Sequence, residues 1–163
     1  MENNKLNQLA KLLEELYREM GPRQIVPEKV WVPLHHAGLP AAAADMAITD
    51  GKGKFLLVKR TDGQFKGWEM IGGYFRRGDK SVEAACKRIA KRDGGVAVKF
   101  ICVIDVYKWP DGEHPYGAPI SVVCLCKLTG RVKETKNKKL FRALPKNIVT
   151  NHRRFMKEAM KAV

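Results

Sequence analysis

The sequence lacks any apolar run long enough to cross a bilayer. Its longest uninterrupted apolar stretches fall far short of the roughly 20 residues that a membrane-spanning helix needs. The first ten residues, MENNKLNQLA, also lack the basic start and apolar segment of a secretory signal. We therefore expect a cytoplasmic protein with no membrane partner.

Cysteine is scarce and lacks the spacing of a metal site. The chain has four cysteines and no Cys-x-x-Cys pair. Cys124 and Cys126 would share one face of a strand, but no two further ligands stand near them in the sequence. The pattern predicts buried, reduced thiols rather than a zinc site.

Acidic residues are few, at 17 against 31 basic ones, and the net charge is +14. The excess is uneven: residues 76–92 hold seven basic and two acidic side chains, and residues 127–161 hold twelve and two. Such a surface attracts phosphate-rich partners such as nucleotides or RNA, although a simple solubilising excess has the same composition. The length of 163 residues fits one globular domain.

Hydrophobic periodicity predicts a leading helix followed by a mixture of strands and helices. The first helix, over residues 4–20, has an apolar stripe made of Leu6, Leu9, Leu13, Leu16 and Met20. Prolines punctuate residues 21–40. We expect the helix to pack on its own domain, with an oligomer contact as the alternative.

The remaining elements alternate in type without regular strand–helix–strand winding. Strands are predicted at 45–49, 54–60, 68–71, 96–108 and 120–128, the last as the central strand. Helices are predicted at 80–92 and 147–161, the latter with Ile148, Phe155, Ala159 and Met160 facing inward. These elements predict an α/β (α+β) fold, a mixed β-sheet sandwiched between helices. Residues 1–42 form the helix and an extended linker, and residues 43–163 form the domain.

A specific motif occupies residues 72–96, which read GGYFRRGDKSVEAACKRIAKRDGGV and follow GWEMI. This segment resembles the Nudix box, G-x5-E-x7-R-E-U-x-E-E-x-G-U, where U is aliphatic. Gly73, after Gly72, is then the first glycine, and Gly94 is the late one. Asp79 takes the first Glu position and Lys87 the Arg position.

The resemblance extends beyond the box to FLLVKR at 55–60 and LPKNIVTNHRRFM at 144–156, and so covers about residues 43–160. It implies a Nudix-like fold and hydrolysis of a nucleoside diphosphate derivative. It also implies a structural role for Asp79 and Lys87, as an acid–base pair that braces the loop.

The box departs from the family at the positions that bind metal. In the family, three glutamates of R-E-U-x-E-E hold Mg²⁺ and activate water, whereas this chain has Arg88, Lys91 and Arg92. The spacing i, i+3, i+4 puts the three on one helix face. Cationic groups have no lone pair for a hard cation, so we predict no metal ligands on this degenerate box.

The departures are similar to those of the GDP-mannose mannosyl hydrolase branch, which also has Arg at the position of Arg88. That resemblance implies a late metal-binding carboxylate at Asp93, the route by which Mg²⁺ stays an alternative. It also implies nucleotide and phosphate contacts by Asp45 and Arg60. The metal-binding Gln and general-base His of that branch fall near Asn137-Lys138, which differ in chemistry.

The sequence leaves two main functions open and assigns no catalytic residue. The first is a Nudix-like hydrolase of a nucleoside diphosphate derivative, for example a nucleotide sugar, with an altered metal site. The second is a catalytically silent Nudix fold that binds a nucleotide or RNA, and a third is a structural subunit of a nucleic-acid complex. In the binding hypothesis arginines neutralise the phosphates directly, and the predicted contacts are Arg60, Arg76, Arg77, Arg88, Lys91 and Arg92.

Overall fold

The computed structural model describes residues 2–20, 41–60, 66–114 and 118–162. The strands are β1 (Ala42–Thr49), β2 (Phe55–Arg60), β3 (Gly67–Glu69), β4 (Ile71–Tyr74), β5 (Val98–Lys108), β6 (Ile120–Leu128) and β7 (Lys138–Phe141). The helices are α1 (Glu2–Met20), α2 (Val82–Ile89) and α3 (Thr150–Lys161), and a π-helical turn (Ala90–Gly94) continues α2.

The strands form one mixed sheet, which confirms the predicted fold class. Its order is β3-β2-β1-β6-β5, with β4 paired to β1 and β7 paired to β2. β1 runs parallel to β6 and antiparallel to β2 and β4. The predicted hairpin at 50–53 joins β1 to β2, and Gly51 and Gly53 supply its positive φ angles. β6 is an interior strand, as its apolar sequence predicted.

Two apolar layers cover the two faces of the sheet. The layer under α2 contains Ala44, Met46, Ile48, Ala85, Cys86 and Ile89. The layer under α3 contains Ala47, Leu57, Trp68, Phe155, Met156 and Ala159. Because successive side chains of a strand point to opposite faces, β1 contributes to both layers. This alternation places Asp45 on the face that α3 covers.

Several predicted boundaries were wrong. The single strand predicted at 68–71 is two short strands, because β3 pairs with β2 while β4 pairs with β1. The helix predicted to start at 147 begins at Thr150, and Ile148 instead bridges to Trp68. Met160 is exposed, and Met156 fills the core because the buried stripe of α3 follows positions 152, 155, 156 and 159. β7 had no counterpart among the predictions, since its sequence KKLF is half lysine.

α1 is helical as predicted, but Leu9 and Leu12 on it are 48% and 55% exposed. The proline-rich segment at 21–40, predicted as an extended linker, lies outside the described residues. Among those that are described, no helix is long and apolar enough to span a membrane.

Candidate functional site

The site begins where β4 leaves the sheet and the chain enters α2. Gly72 and Gly73 lie opposite Asp45 and Ala44 of β1. Ser81 caps α2, its hydroxyl accepting a hydrogen bond from the amide of Ala84 at 3.1 Å. The loop at residues 75–80 is therefore held at one end by the pairing of β4 with β1 and at the other end by the Ser81 cap.

An ion pair between Asp79 and Arg88 ties the loop to α2. Arg88 donates from Nε to Asp79 Oδ1 at 2.8 Å and from Nη2 to Asp79 Oδ2, and Nη2 also donates to the carbonyl oxygen of Tyr74 at 3.1 Å. The amide of Arg76 donates to Asp79 Oδ2 at 2.8 Å. The side chains of Asp79 and Arg88 are 7% and 23% exposed. The Arg88 guanidinium, above all through its hydrogen bonds, lowers the pKa of the Asp79 carboxyl.

This arrangement corrects the pairing that the resemblance implied. Lys87 does not contact Asp79; its ammonium pairs with Glu83 one turn earlier, at 2.7 Å, on the exposed side of α2. Position 88, not 87, faces the loop, so Arg88 takes the bracing role. Arg88 is thus a structural residue as well as a predicted phosphate contact.

The three helix cations do not share one environment. The π-helical turn adds a residue to the winding after Ile89, so positions 91 and 92 are not related to 88 as in a regular α-helix. Lys91 is exposed, and Arg92 donates to both carboxylate oxygens of Asp93 at 2.5 and 2.6 Å. These hydrogen bonds raise the pKa of the Arg92 guanidinium.

Three guanidinium groups, those of Arg76, Arg88 and Arg92, form what we call the arginine cluster. Burial lowers the pKa of the Arg76 guanidinium, and the positive charges of Arg88 and Arg92 lower it further. A Cβ added to Gly73 would approach Nη2 of Arg92 to 2.9 Å, so this guanidinium lies over β4. Arg77 is exposed at the rim of the same loop.

One nitrogen of the cluster is left without a hydrogen bond. Nη1 of Arg88 is the buried side-chain polar atom that lacks a partner within the described residues. A buried donor without an acceptor costs about 1–3 kcal/mol.

The oxygen donors at this site do not fit Mg²⁺. Asp79 is committed to Arg88, and Asp93 is committed to Arg92. In the described ranges no three His, Cys, Asp or Glu side chains converge as metal ligands. A hard divalent cation requires several free oxygens, and here it would meet guanidinium groups instead.

Asp45, which was predicted to contact nucleotide together with Arg60, lies on the face of the sheet that α3 covers, away from the arginine cluster. Asp45 is 7% exposed, and its Oδ1 is 3.9 Å from Nε2 of His152. Arg60 lies 3.7 Å from Glu69. A Cβ at Gly72 would come within 2.1 Å of Asp45 Oδ1, so this glycine makes room for the carboxylate. The sheet therefore separates Asp45 from the arginine cluster.

His152, which lies beside Asp45, is a residue that the sequence interpretation missed. Its Nδ1 accepts a hydrogen bond from the amide of Met70 at 3.1 Å, which leaves the proton on Nε2, toward Asp45. Burial lowers the pKa of the His152 imidazole, although the Asp45 carboxylate opposes this effect. The buried stripe of α3 was the available signal, since position 152 falls on it with 155, 156 and 159.

Three of the four cysteines form a buried cluster between α2 and β6. Hydrogen bonds from the thiols of Cys124 and Cys126 lower the pKa of the Cys86 thiol, and the same interaction raises the pKa of both partner thiols. All four are free thiols, as predicted, but Cys102 is exposed on β5 rather than buried.

Comparisons with known proteins agree with the fold and the motif. The family described as the NUDIX domain matches residues 39–160. The ADP-ribose pyrophosphatase of Methanocaldococcus jannaschii is 35% identical over 91 residues, 56% of this chain and 53% of that protein. The chain therefore spans about half the length of this curated relative.

Solved structures of low sequence identity share the fold. A NUDIX hydrolase from Nitrosomonas europaea gives a TM-score of 0.62 at 17% identity, covering 75% of this chain and 70% of the other. The NUDIX domain of Shewanella oneidensis NrtR, solved with ADP ribose, gives 0.58 at 16% identity, covering 84% and 99%. On the family match over most of its length, the chain belongs to the NUDIX domain family.

Proposed function

We propose that this Nudix domain binds a nucleoside diphosphate derivative, with ADP-ribose as the first candidate, through the arginine cluster instead of a bound metal ion. The observation that carries the proposal is the gathering of Arg76, Arg88 and Arg92 around the loop before α2, with the Arg92 guanidinium lying over Gly73. The choice of ADP-ribose rests on the relatives, one a pyrophosphatase of that compound and one crystallised with it. Nucleotide sugars and RNA are the other phosphate-bearing candidates.

The chemistry of the cluster suits a diphosphate. Arginine presents paired donors that match two phosphate oxygens, and three guanidiniums can neutralise a diphosphate without a divalent cation. Asp79 holds Arg88 in place from behind, so little side-chain entropy is lost on binding. The proposal assigns no phosphate contact to Asp45, which we take to hold the sheet geometry at Gly72.

Hydrolysis of the same ligand is the second candidate, favoured by the 35% identity to an ADP-ribose pyrophosphatase. The family route needs oxygen ligands for Mg²⁺, and both carboxylates at the site are committed to arginines. Turnover by this chain would therefore have to use the arginines to stabilise developing negative charge. Both candidate functions begin with binding of the same ligand, and only the second releases hydrolysis products.

Calorimetric titration of ADP-ribose into four proteins tests the binding step. We expect Arg76→Ala and Arg92→Ala each to weaken binding roughly tenfold or more, since charge-assisted hydrogen bonds contribute about 1.5–3 kcal/mol. Lys87→Ala is the matched control, because it removes the same charge from the outward face of α2. A loss as large in Lys87→Ala as in the cluster variants would contradict the proposal.

A product assay on the same samples separates binding from hydrolysis. Chromatography of ADP-ribose after incubation with the unmodified chain, with and without Mg²⁺, should show the intact compound. Nucleoside monophosphate formed at about 1 per second or faster would establish the hydrolase. Replacing ADP-ribose by GDP-mannose or a short RNA in the titration ranks the other ligand classes.

A further inference from the structure

We propose that α1 joins two copies of this chain as an antiparallel pair of helices. The helix carries leucines at positions 6, 9, 13 and 16, a spacing of three, four and three residues. That alternation is the a and d pattern of a heptad seam.

The leucine face of α1 is only partly covered in the structure. Leu9 and Leu12 are 48% and 55% exposed and Leu13 and Leu16 are half-buried, whereas Leu56, Leu57 and Leu125 of the sheet are buried. Packing these leucine side chains against a partner helix would stabilise the pair by about 25 cal/mol per Å² of apolar surface removed from water. A helix of 19 residues is also marginal by itself in water, so a partner would stabilise its helical structure.

A single antiparallel register satisfies the whole leucine set. Position a of one helix then faces position d of the other, so Leu9 packs on Leu13 of the second copy, and position 6 falls opposite its position 16. The register is two-fold symmetric, and the same contacts recur with the copies exchanged. Leu12, at position g beside the seam, meets Leu12 of the second copy at the axis, which accounts for an exposed leucine outside the a and d positions.

Charges beside the seam select this orientation. Positions g of the first and third heptads hold Lys5 and Glu19, and both side chains are exposed. In the antiparallel register each Lys5 lies opposite Glu19 of the second copy, giving two ion pairs per dimer. A parallel pair would place Lys5 opposite Ala10, with no opposite charge. On the outer surface, Glu14 and Arg18 pair within the helix at 3.6 Å.

The charge distribution indicates that α1 is the part of the chain suited to self-association. Residues 2–20 hold four acidic and three basic side chains, a net −1 within a chain of +14. Two strongly basic domains repel each other, but a nearly neutral helix does not add to that repulsion. The proline-containing residues 21–40 separate the helix from the domain in sequence.

Sedimentation equilibrium of the full chain at physiological salt tests the proposal over a wide range of protein concentration. We expect the mass to rise from 18.4 kDa toward twice that value, and Leu12→Asp to stay monomeric throughout. Lys5→Glu and Glu19→Lys should each weaken the dimer roughly tenfold, because two attractive pairs become repulsive. The double charge swap should restore the original affinity. Lys11→Glu, the same change off the seam, should leave it within about threefold.

Three results would overturn the antiparallel pair. The first is a chain that stays monomeric up to its solubility limit. The second is a Leu12→Asp variant that dimerises like the unmodified chain, since the contact would then lie elsewhere. The third is a double charge swap that dimerises no more tightly than either single variant.

Discussion

Changing Asp79→Asn removes the negative charge from the centre of the loop–helix brace while preserving the shape of the side chain. Asp79 accepts hydrogen bonds from two nitrogens of Arg88 and from the amide of Arg76. Asparagine has one acceptor oxygen, so at least one of the Arg88 nitrogens would lose its partner. The guanidinium would then be a largely buried charge without a counter-charge.

The cost follows from the exposure of the pair. With side chains 7% and 23% exposed, Asp79 and Arg88 are shielded well enough to count as a largely buried pair. Removing one partner of a buried pair costs about 3–5 kcal/mol, and the remaining amide oxygen should reduce this to about 2–3 kcal/mol. For a chain of this size the fall in Tm is then about 5–10 °C.

The pH dependence gives a second, independent readout. The pKa of Asp79 is lower in the folded chain than its ordinary value, so the unfolded chain takes up the proton first as pH falls. The stabilisation is complete above the unfolded pKa of about 4 and is lost as pH falls through the folded pKa. The stability gap between the unmodified chain and Asp79→Asn should therefore be widest near neutral pH and close in acid.

Urea unfolding followed by circular dichroism, at neutral pH and in acid, measures both effects. Glu83→Gln is the control, because it removes an exposed carboxylate whose pair with Lys87 contributes less than about 1 kcal/mol. An Asp79→Asn variant within about 0.5 kcal/mol of the unmodified chain would refute the brace. So would a stability gap that does not change with pH.

Three further predictions concern the other buried features. Gly72→Ala should lose about 2 kcal/mol or more in urea unfolding, because its Cβ would lie 2.1 Å from Asp45 Oδ1; Gly130→Ala, which meets nothing within 4 Å, should be within about 0.5 kcal/mol. Because burial lowers the pKa of His152, the folded chain should lose stability as pH falls below about 6.5, and His152→Asn should lose that part of the slope in the same assay. Iodoacetamide should label Cys102 first and the other three thiols only on unfolding, as mass spectrometry of digests would show; equal labelling would contradict the burial.

The sequence predicted the sheet and the helices because their signals are local. The glycines of the turn at 50–53 define the first hairpin, and the apolar run at 120–128 marks an interior strand. β7 was not predicted, because its lysines have a low strand propensity that only the pairing with β2 overrides. The boundary between β3 and β4 was not predicted, because a change of pairing partner does not alter the hydrophobic periodicity of the sequence.

The site was harder to predict because it depends on helix phase. The spacing of the box placed Lys87 opposite Asp79, yet position 88 faces the loop and forms the pair. The winding changes again at the π-helical turn after Ile89, where Lys91 is exposed and Arg92 lies over β4. Neither effect is visible in a motif, which records residue types and intervals but not the winding of the helix.

The separation of Asp45 from the arginine cluster has a topological cause. Asp45 occupies the α3 face of β1, while Gly73 and Arg92 meet on the α2 face. The alternation of side chains along β1 fixes this division, but only once the sheet shows which face each helix covers.

The central claim is that arginine side chains hold the ligand's phosphates without a metal ion, and one titration tests it most directly. ADP-ribose is titrated into the unmodified chain in EDTA and again in excess Mg²⁺, each at low and at physiological salt. The account predicts binding in EDTA that Mg²⁺ does not tighten and that weakens as salt screens the arginine cluster. Binding that is absent in EDTA and appears only with Mg²⁺ would contradict it.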